Sequence, residues 1–369
     1  MDTIYRAEVI GSLLRPAYLN EARAAMLAGT LGEAEFKRLE DHAVDECLAM
    51  QERIGLDVVT DGEMRRTIYL VPGSGTMRPA ASRLSRELRW RRKEGEATAE
   101  ERARVPFFPI TSKLRFTHSA CAAEFAYAQA HTRKPLKVTM PGPTTLLNRW
   151  SPEYSAAVYP DPISLLADAV DAIRQEVREL AALGCSYVQI DAPELSSMVD
   201  EERERDMARV HPKLPGWFRN EGIEALNAVA SVPGVKFGLH VCRGNYKGFW
   251  LSEAPWEALA RQIFPRTTNF DIFLLEYDDW RSGSFAPLAD LGRDKIAVLG
   301  LVSTKRSELE PVPDLIQRIG EAARFFPREQ LAISSQCGFS PDATSNTQSA
   351  AGQEAKLRLV VEIARRVWG

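Results

Sequence analysis

Eight short apolar runs recur along this chain: AEVIGS, LDVVTD, LKVTMPG, YVQIDAP, VKFGLHV, IFLLEYD, IAVLGLV and LAISSQC. Between many of them lie longer amphipathic stretches. In DPISLLADAVDAIRQEVRELAALG and GQEAKLRLVVEIARRVW the apolar residues fall at i, i+3, i+4 and i+7, the spacing of one helix face. Strand-length runs alternating with helices predict an α/β fold with a parallel sheet. Eight such strands either close into a (β/α)8 TIM barrel or lie open as a doubly wound sheet.

The polar residues favour closure. Ser12, Glu63, Asp191, His240, Glu276, Ser303 and Cys337 each stand at or just past the carboxyl end of a different run. A barrel gathers all of those ends around one mouth, where barrel active sites form, whereas an open sheet would spread the outermost ones apart. These seven residues are therefore candidate site residues. With no internal repeat and no low-complexity linker, residues 1–369 read as a single catalytic barrel.

One segment departs from the rhythm. RLSRELRWRRKEGEATAEERARVPFF, residues 83–108, is dense in Arg and Glu and follows the second predicted strand. The expectation is a solvated helical excursion followed by an extended piece. The functional alternative is a lid or a subunit contact, because long insertions of this kind are often functional.

Within GLHVCRGN, His240 and Cys242 stand two positions apart at a strand end and so point to the same face. Cys337, in AISSQCGFSP, and Glu276, in IFLLEYDD, occupy comparable positions on other runs. Two thiolates, an imidazole and a carboxylate would form a tetrahedral zinc site, with the carboxylate the ligand most readily exchanged for an incoming group. The ligands come from separate strands and not from a compact finger, which is a catalytic arrangement. Zinc lowers the pKa of a bound thiol and so prepares a sulfur nucleophile. The H-E-x-x-H and P-C-x-x-C signatures of zinc proteases and deaminases are absent. The alternative is a hydrogen-bonded barrel-mouth histidine beside ordinary buried cysteines.

Charge and cysteine usage narrow the partners. A formal net charge of −3 gives no electrostatic footprint for nucleic acid or anionic lipid, so small molecules are the expected partners. Five widely spread cysteines argue against a disulfide framework, and Cys47 and Cys185 read as small buried hydrophobes. The stretch MDTIYRAEVIGSLLRP lacks a basic and then apolar leader pattern, and no run approaches membrane-spanning length. A cytoplasmic protein without membrane contact is expected, with homo-oligomerisation left open. His42, His118, His131 and His211 read as structural or surface residues.

At these residues the chain resembles the cobalamin-independent methionine synthase family, specifically its carboxyl-terminal catalytic barrel occurring alone. The resemblance runs from IGSLLRP through VVTDGE, PGPTTLLNRW, QIDAPEL, HVCRGN, LLEYD and VLGLVSTK to SSQCGFSP. It implies a (β/α)8 barrel, with His240, Cys242, Glu276 and Cys337 as zinc ligands. It further implies that Ile10 and Ser12 contact the carboxylate of an amino-acid thiol, while Glu63 and Asp191 hold its ammonium. The alternative for those two acids is pairing with Arg65, Arg66 or backbone amides. Trp150 resembles the aromatic that stacks on a pterin, though the spacing is one residue longer and Arg149 lies nearest the equivalent position.

Three departures loosen the identity of the alkyl donor. The amino-terminal barrel of the full-length synthases has no counterpart in these residues. QIDAP carries Ala192 where the family has an acid. Lys305 falls near a histidine that serves as proton donor in the full-length enzymes. The expected activity is zinc-dependent methyl or alkyl transfer to a thiol, with homocysteine the favoured acceptor, and with Lys305 and Glu276 in catalytic roles. The rival readings are an epoxide-opening transferase of the epoxyalkane:coenzyme M type, a metal-free decarboxylase related to the uroporphyrinogen enzymes, and a non-catalytic metal-binding protein.

Overall fold

The computed structural model describes residues 4–67, 84–94, 97–343 and 348–369. The strands in chain order are β1 (Ala7–Glu8), β2 (Ser85–Glu94), β3 (Ala97–Pro106), β4 (Val138–Pro141), β5 (Tyr187–Asp191), β6 (Lys236–Val241), β7 (Ile272–Glu276), β8 (Ile296–Val302) and β9 (Leu331–Ser335). Seven of them form one parallel sheet in the order β1-β9-β8-β7-β6-β5-β4. Helices alternate with the strands, among them Glu33–Ile54, Leu166–Ala182, Val312–Ala322 and Ala350–Trp368. The fold is the α/β barrel expected from the rhythm of the chain.

The second expected strand, LDVVTD, closes the ring without forming a regular ladder. Among the described residues its one bridge pairs Val59 with Leu136, just before β4. On the other side Asp57 N–H donates to the Ala7 carbonyl at 3.0 Å, so the segment spans the gap between β1 and β4. Side chains take up several backbone groups here and at the neighbouring β1. Thr60 N–H donates to Gln51 Oε1 at 3.0 Å, Gln51 Nε2 donates to the Thr60 carbonyl at 2.7 Å, and the Asp57 carboxylate accepts from Arg6 and Ala7 N–H. Backbone groups satisfied in this way have no need of a strand partner.

Strand alternation sorts the barrel interior. Tyr187, Gln189 and Asp191 share one face of β5, and Ile272, Leu274 and Glu276 share one face of β7. Low in the barrel these inward positions pack an apolar cluster of Ile10, Val58, Tyr187, Ile272, Leu274, Val298 and Ala332. At the carboxyl ends the same faces present Asp191 and Glu276. On β6, Gly238 keeps the interior open below His240, because a Cβ there would meet Leu274 Cδ1 at 2.8 Å. The larger apolar core lies between the sheet and its helices.

Residues 83–108 differ from expectation. Arg83, Gly95 and Glu96 lie outside the described residues, and the rest is no helix but an antiparallel hairpin in which β2 pairs with β3 from Ser85–Pro106 to Glu94–Ala97. Its apolar residues step by two, through Leu88 and Trp90 on one strand and Ala103 and Val105 on the other, as a half-covered hairpin requires. Trp90 and Ala103 pack on Phe249, and Arg91 exchanges backbone hydrogen bonds with Trp250 at 2.8 Å in each direction. The Arg91 guanidinium also reaches Asp200 at 2.5 Å and the Leu251 carbonyl at 2.6 Å. The hairpin is thus fastened to the loop that follows β6. Replacing Trp90 by alanine should raise hydrogen exchange across the described hairpin amides while leaving the β5–β9 amides protected, because the apolar contact holding this satellite is small and separate from the core.

Candidate metal centre and substrate cavity

The ends of β6, β7 and β9 bring His240, Cys242, Glu276 and Cys337 together, with one potential ligand atom from each lying within 4.8 Å of the others. Cys242 Sγ and Cys337 Sγ are 3.5 Å apart. His240 donates Nδ1–H to the Leu274 carbonyl at 3.2 Å, which leaves Nε2 buried with no partner. An imidazole oriented through one nitrogen is prepared to bind a metal through the other, once that nitrogen gives up its proton.

Around these four lies a layer of supporting contacts. Gln336 Nε2 donates to Glu276 Oε1 at 3.1 Å, and Gln336 Oε1 accepts from the Thr304 hydroxyl at 2.9 Å. Asn245 Nδ2 then donates to Thr304 Oγ1 at 3.0 Å and to the Gly338 carbonyl at 3.2 Å. The buried Arg243 guanidinium sits 3.4 Å from Glu276 Oε2 and donates to the Ala254 carbonyl. The Gly244 N–H donates to Cys242 Sγ at 3.1 Å.

The electrostatics suit a cation at the centre. The neighbouring Cys337 thiol, then burial and Glu276, push the Cys242 thiol well above its ordinary range. Burial draws His240 down, but Cys242, Asp191 and Glu276 more than offset it and bring the imidazole to about 9. Burial works against the Glu276 carboxylate, yet Lys305, Arg243 and Arg281 hold it below its usual range. Ionising the Cys242 thiol therefore calls for added positive charge at the centre. A divalent soft-to-borderline metal would supply that charge, and the chemistry of two thiols, an imidazole and a carboxylate fits zinc.

A cavity of about 700 Å³ opens beside the cluster and is lined by His240, Cys242, Cys337, Ile10, Ser12, Glu63 and Asp191. Glu63 occupies the tight DGE turn with φ 56°, after Gly62 at φ 66°. Such a left-handed residue other than glycine costs roughly 1–3 kcal/mol and has to be held in place. Arg15 does so by donating to the Glu63 carbonyl at 2.8 Å, and the Thr139 hydroxyl donates to Glu63 Oε1 at 2.9 Å. Arg66 stands 3.9 Å from Oε1 but is engaged by Glu124 at 2.7 Å, and Arg65 pairs with Asp41 at 2.5 Å. Glu63 Oε2 is left buried without a partner. Burial pushes the Glu63 carboxyl up to about 7, against the pull of Arg66 and Arg15, with Asp191 adding to the rise. Burial also raises Asp191, whose Oδ1 accepts from Gln189 Nε2 at 2.8 Å. Ser12 packs so closely on the turn after Cys337 that a Cβ at Gly338 would lie 2.1 Å from its hydroxyl. Ile10 N–H reaches Ser335 Oγ at 3.5 Å.

Three sequence candidates lie elsewhere. Trp150 is buried in the main core and donates its indole N–H to the Tyr159 carbonyl at 2.8 Å, whereas its neighbour Arg149 lines the cavity. Ser303 is buried, with its N–H bonded to Glu310 and its hydroxyl accepting from Lys305 N–H, and it does not line the cavity. Lys305 does not line it either. Its ammonium is held by Asp278 at 2.9 Å and Asp279 at 3.0 Å. A lid at residues 83–108 was the functional alternative for that segment, but neither its cavity-lining residues Leu88, Trp90 and Phe107 nor Glu194 stood out in the sequence. The alternation of Leu88 and Trp90 was the available signal for the first. For Glu194 no sequence signal set it apart from other surface-type acids.

Comparison with known proteins bears on the same residues. The family described as "Cobalamin-independent synthase, Catalytic domain" matches residues 6–366. The uncharacterized protein YxjH of Bacillus subtilis is 32% identical, with the match covering 99% of this chain and 95% of that protein. A methionine synthase of Saccharolobus solfataricus is 25% identical over 89% of this chain and 86% of its own length. In structure, a B12-independent methionine synthase from Shewanella sp. W3-18-1, solved in complex with selenomethionine, superposes with a TM-score of 0.74 at 19% identity, covering 99% of this chain and 98% of that one. With the family's catalytic domain matched almost from end to end, this chain belongs to the cobalamin-independent methionine synthase family.

Proposed function

We propose that the protein transfers a methyl group to the thiol of homocysteine, giving methionine, with zinc held by His240, Cys242, Glu276 and Cys337. The observation that carries this reading is one cavity joining the thiol-rich cluster to two buried carboxyls, Glu63 and Asp191, the first with an unpartnered oxygen. When bound, zinc holds a coordinated thiol as its thiolate at neutral pH. Glu63 and Asp191 bind the substrate ammonium, which restores the charge balance that burial of the two acids disfavours. Ser12 Oγ and Ile10 N–H offer donors to the substrate carboxylate. Held at both of these groups, the amino acid directs its sulfur toward the cluster. The hairpin and Arg149 wall the opposite side, where the methyl donor sits and bulk water is displaced.

Membership of the family and the Saccharolobus relative support methyl transfer, and the Shewanella complex shows that a barrel of this shape accepts a methionine analogue. An epoxide-opening transferase with a sulfonate thiol would have no use for two acids facing an ammonium. The test is a matrix of acceptors and donors on zinc-loaded protein, read by mass spectrometry. Homocysteine should be methylated while mercaptoethanesulfonate is methylated or alkylated far more slowly. Preference for the sulfonate thiol would overturn the reading.

A further inference from the structure

Transfer from a poor leaving group needs an acid, and Lys305 stands outside the cavity. Most acids that line the cavity are engaged. Glu87 pairs with Arg102, Glu202 with Arg89, and Asp206 with Arg203 and Arg209, while Glu63 and Asp191 face the ammonium position. Glu194 is different. It stands on the 3-10 turn Pro193–Met198 directly after β5, is 5% exposed, and lines the same cavity as Cys242 and Cys337. The hydroxyls of Thr144 and Thr145 donate to its Oε2 at 3.3 and 3.2 Å, and among the described residues it forms no ion pair. Burial pushes its carboxyl up to about 7, with its own backbone amide, the two hydroxyls and the Asn148 amide opposing the rise. A carboxyl without a cation partner keeps a proton available near neutrality.

We propose that Glu194 is the acid that protonates the donor's leaving group during methyl transfer. The inference rests on the methyl-transfer reading above. In the step, the acceptor sulfur, already deprotonated, forms the new sulfur–carbon bond. The carbon–nitrogen bond of an N-methyl amine donor breaks, its electron pair stays on nitrogen, and that nitrogen receives the Glu194 proton. The carboxylate left behind regains a proton from solvent. A methyl sulfonium donor needs no such help, because its sulfide leaves as a neutral molecule.

The experiment compares 5-methyltetrahydrofolate with S-methylmethionine as donors, with homocysteine as acceptor, in single turnovers of zinc-loaded wild type, E194Q and E194D. Glu194→Gln should slow the amine donor by about 100-fold and the sulfonium by less than about 3-fold, with Glu194→Asp retaining more of the amine rate than E194Q. The sulfonium reaction also reports that the variants fold. Equal slowing of both donors, or no slowing of the amine, would overturn the proposal. Turnover of the sulfonium alone by the wild type would overturn it too, since no step would then use the proton. If the wild type accepts only the amine donor, unchanged homocysteine affinity beside a slowed turnover supports the role, and loss of both overturns it. No transfer from either donor would instead defeat the methyl-transfer reading itself.

Discussion

Cys242→Ser and Cys337→Ser should each lower zinc content from about one ion per chain to a small fraction of that, with affinity falling by more than about 100-fold. Changes in outer contacts to metal ligands already cost about 10–100-fold, and the loss of a directly bound thiolate removes both a charge and a soft donor. A serine hydroxyl stays neutral at this site and restores neither. Glu276→Gln should keep more metal than either cysteine variant, because a carboxylate is the harder and more exchangeable of the donors. Gln336→Ala, which removes the amide on Glu276 Oε1, should fall in the milder range. Elemental analysis after dialysis against a weak chelator measures all four. Full zinc retention by both cysteine variants would remove these residues from the metal site.

Glu63→Gln and Asp191→Asn should each weaken homocysteine by about 10–100-fold while changing a thiol without an ammonium, such as mercaptoethanesulfonate, by less than about 3-fold. A charge-assisted hydrogen bond is worth about 1.5–3 kcal/mol, and only the amino-acid thiol makes it. The pH dependence has a definite sign. With its carboxyl near 7 in the free protein, Glu63 is increasingly neutral as pH falls, so homocysteine affinity should decline below about pH 7. Binding in that range should release a proton as the ammonium draws Glu63 into its charged form. Isothermal titration in two buffers of different ionisation enthalpy counts the protons released, and the difference between wild type and Glu63→Gln separates the Glu63 proton from the one the thiol loses to zinc. Equal losses for both thiols would mean that the acids support the cavity and do not read the substrate.

Much of the site was legible in the chain because strand geometry makes it so. Residues two apart on a strand face one way, so His240 and Cys242 had to share a face, and the recurring β–α rhythm implied a mouth where Glu276 and Cys337 could join them. The charged insertion was harder. Arg and Glu at high density suit a helix surface as well as a strand edge, and only its packing on Phe249 and Trp250 selected the hairpin. The second strand was a related case, in which Gln51 and Asp57 side chains took the backbone hydrogen bonds that a ladder would have used.

What the sequence determined by itself was the barrel, the four clustered donors and the two acids near them, all of which follow from local periodicity. Which polar residues face the cavity was decided only by tertiary structure. Trp150, Ser303 and Lys305 sit in motifs as suggestive as those of Glu63 and Asp191, yet they point into the core or into an ion pair. Glu194, with nothing in its motif to mark it, stands on the cavity wall. The physical reason is that a loop side chain's direction depends on what its neighbours leave unsatisfied. Tyr159 offers the carbonyl that takes the Trp150 indole, and Asp278 and Asp279 offer the charges that take Lys305. Those partners are distant in sequence or set by the fold, and no spacing rule carries them.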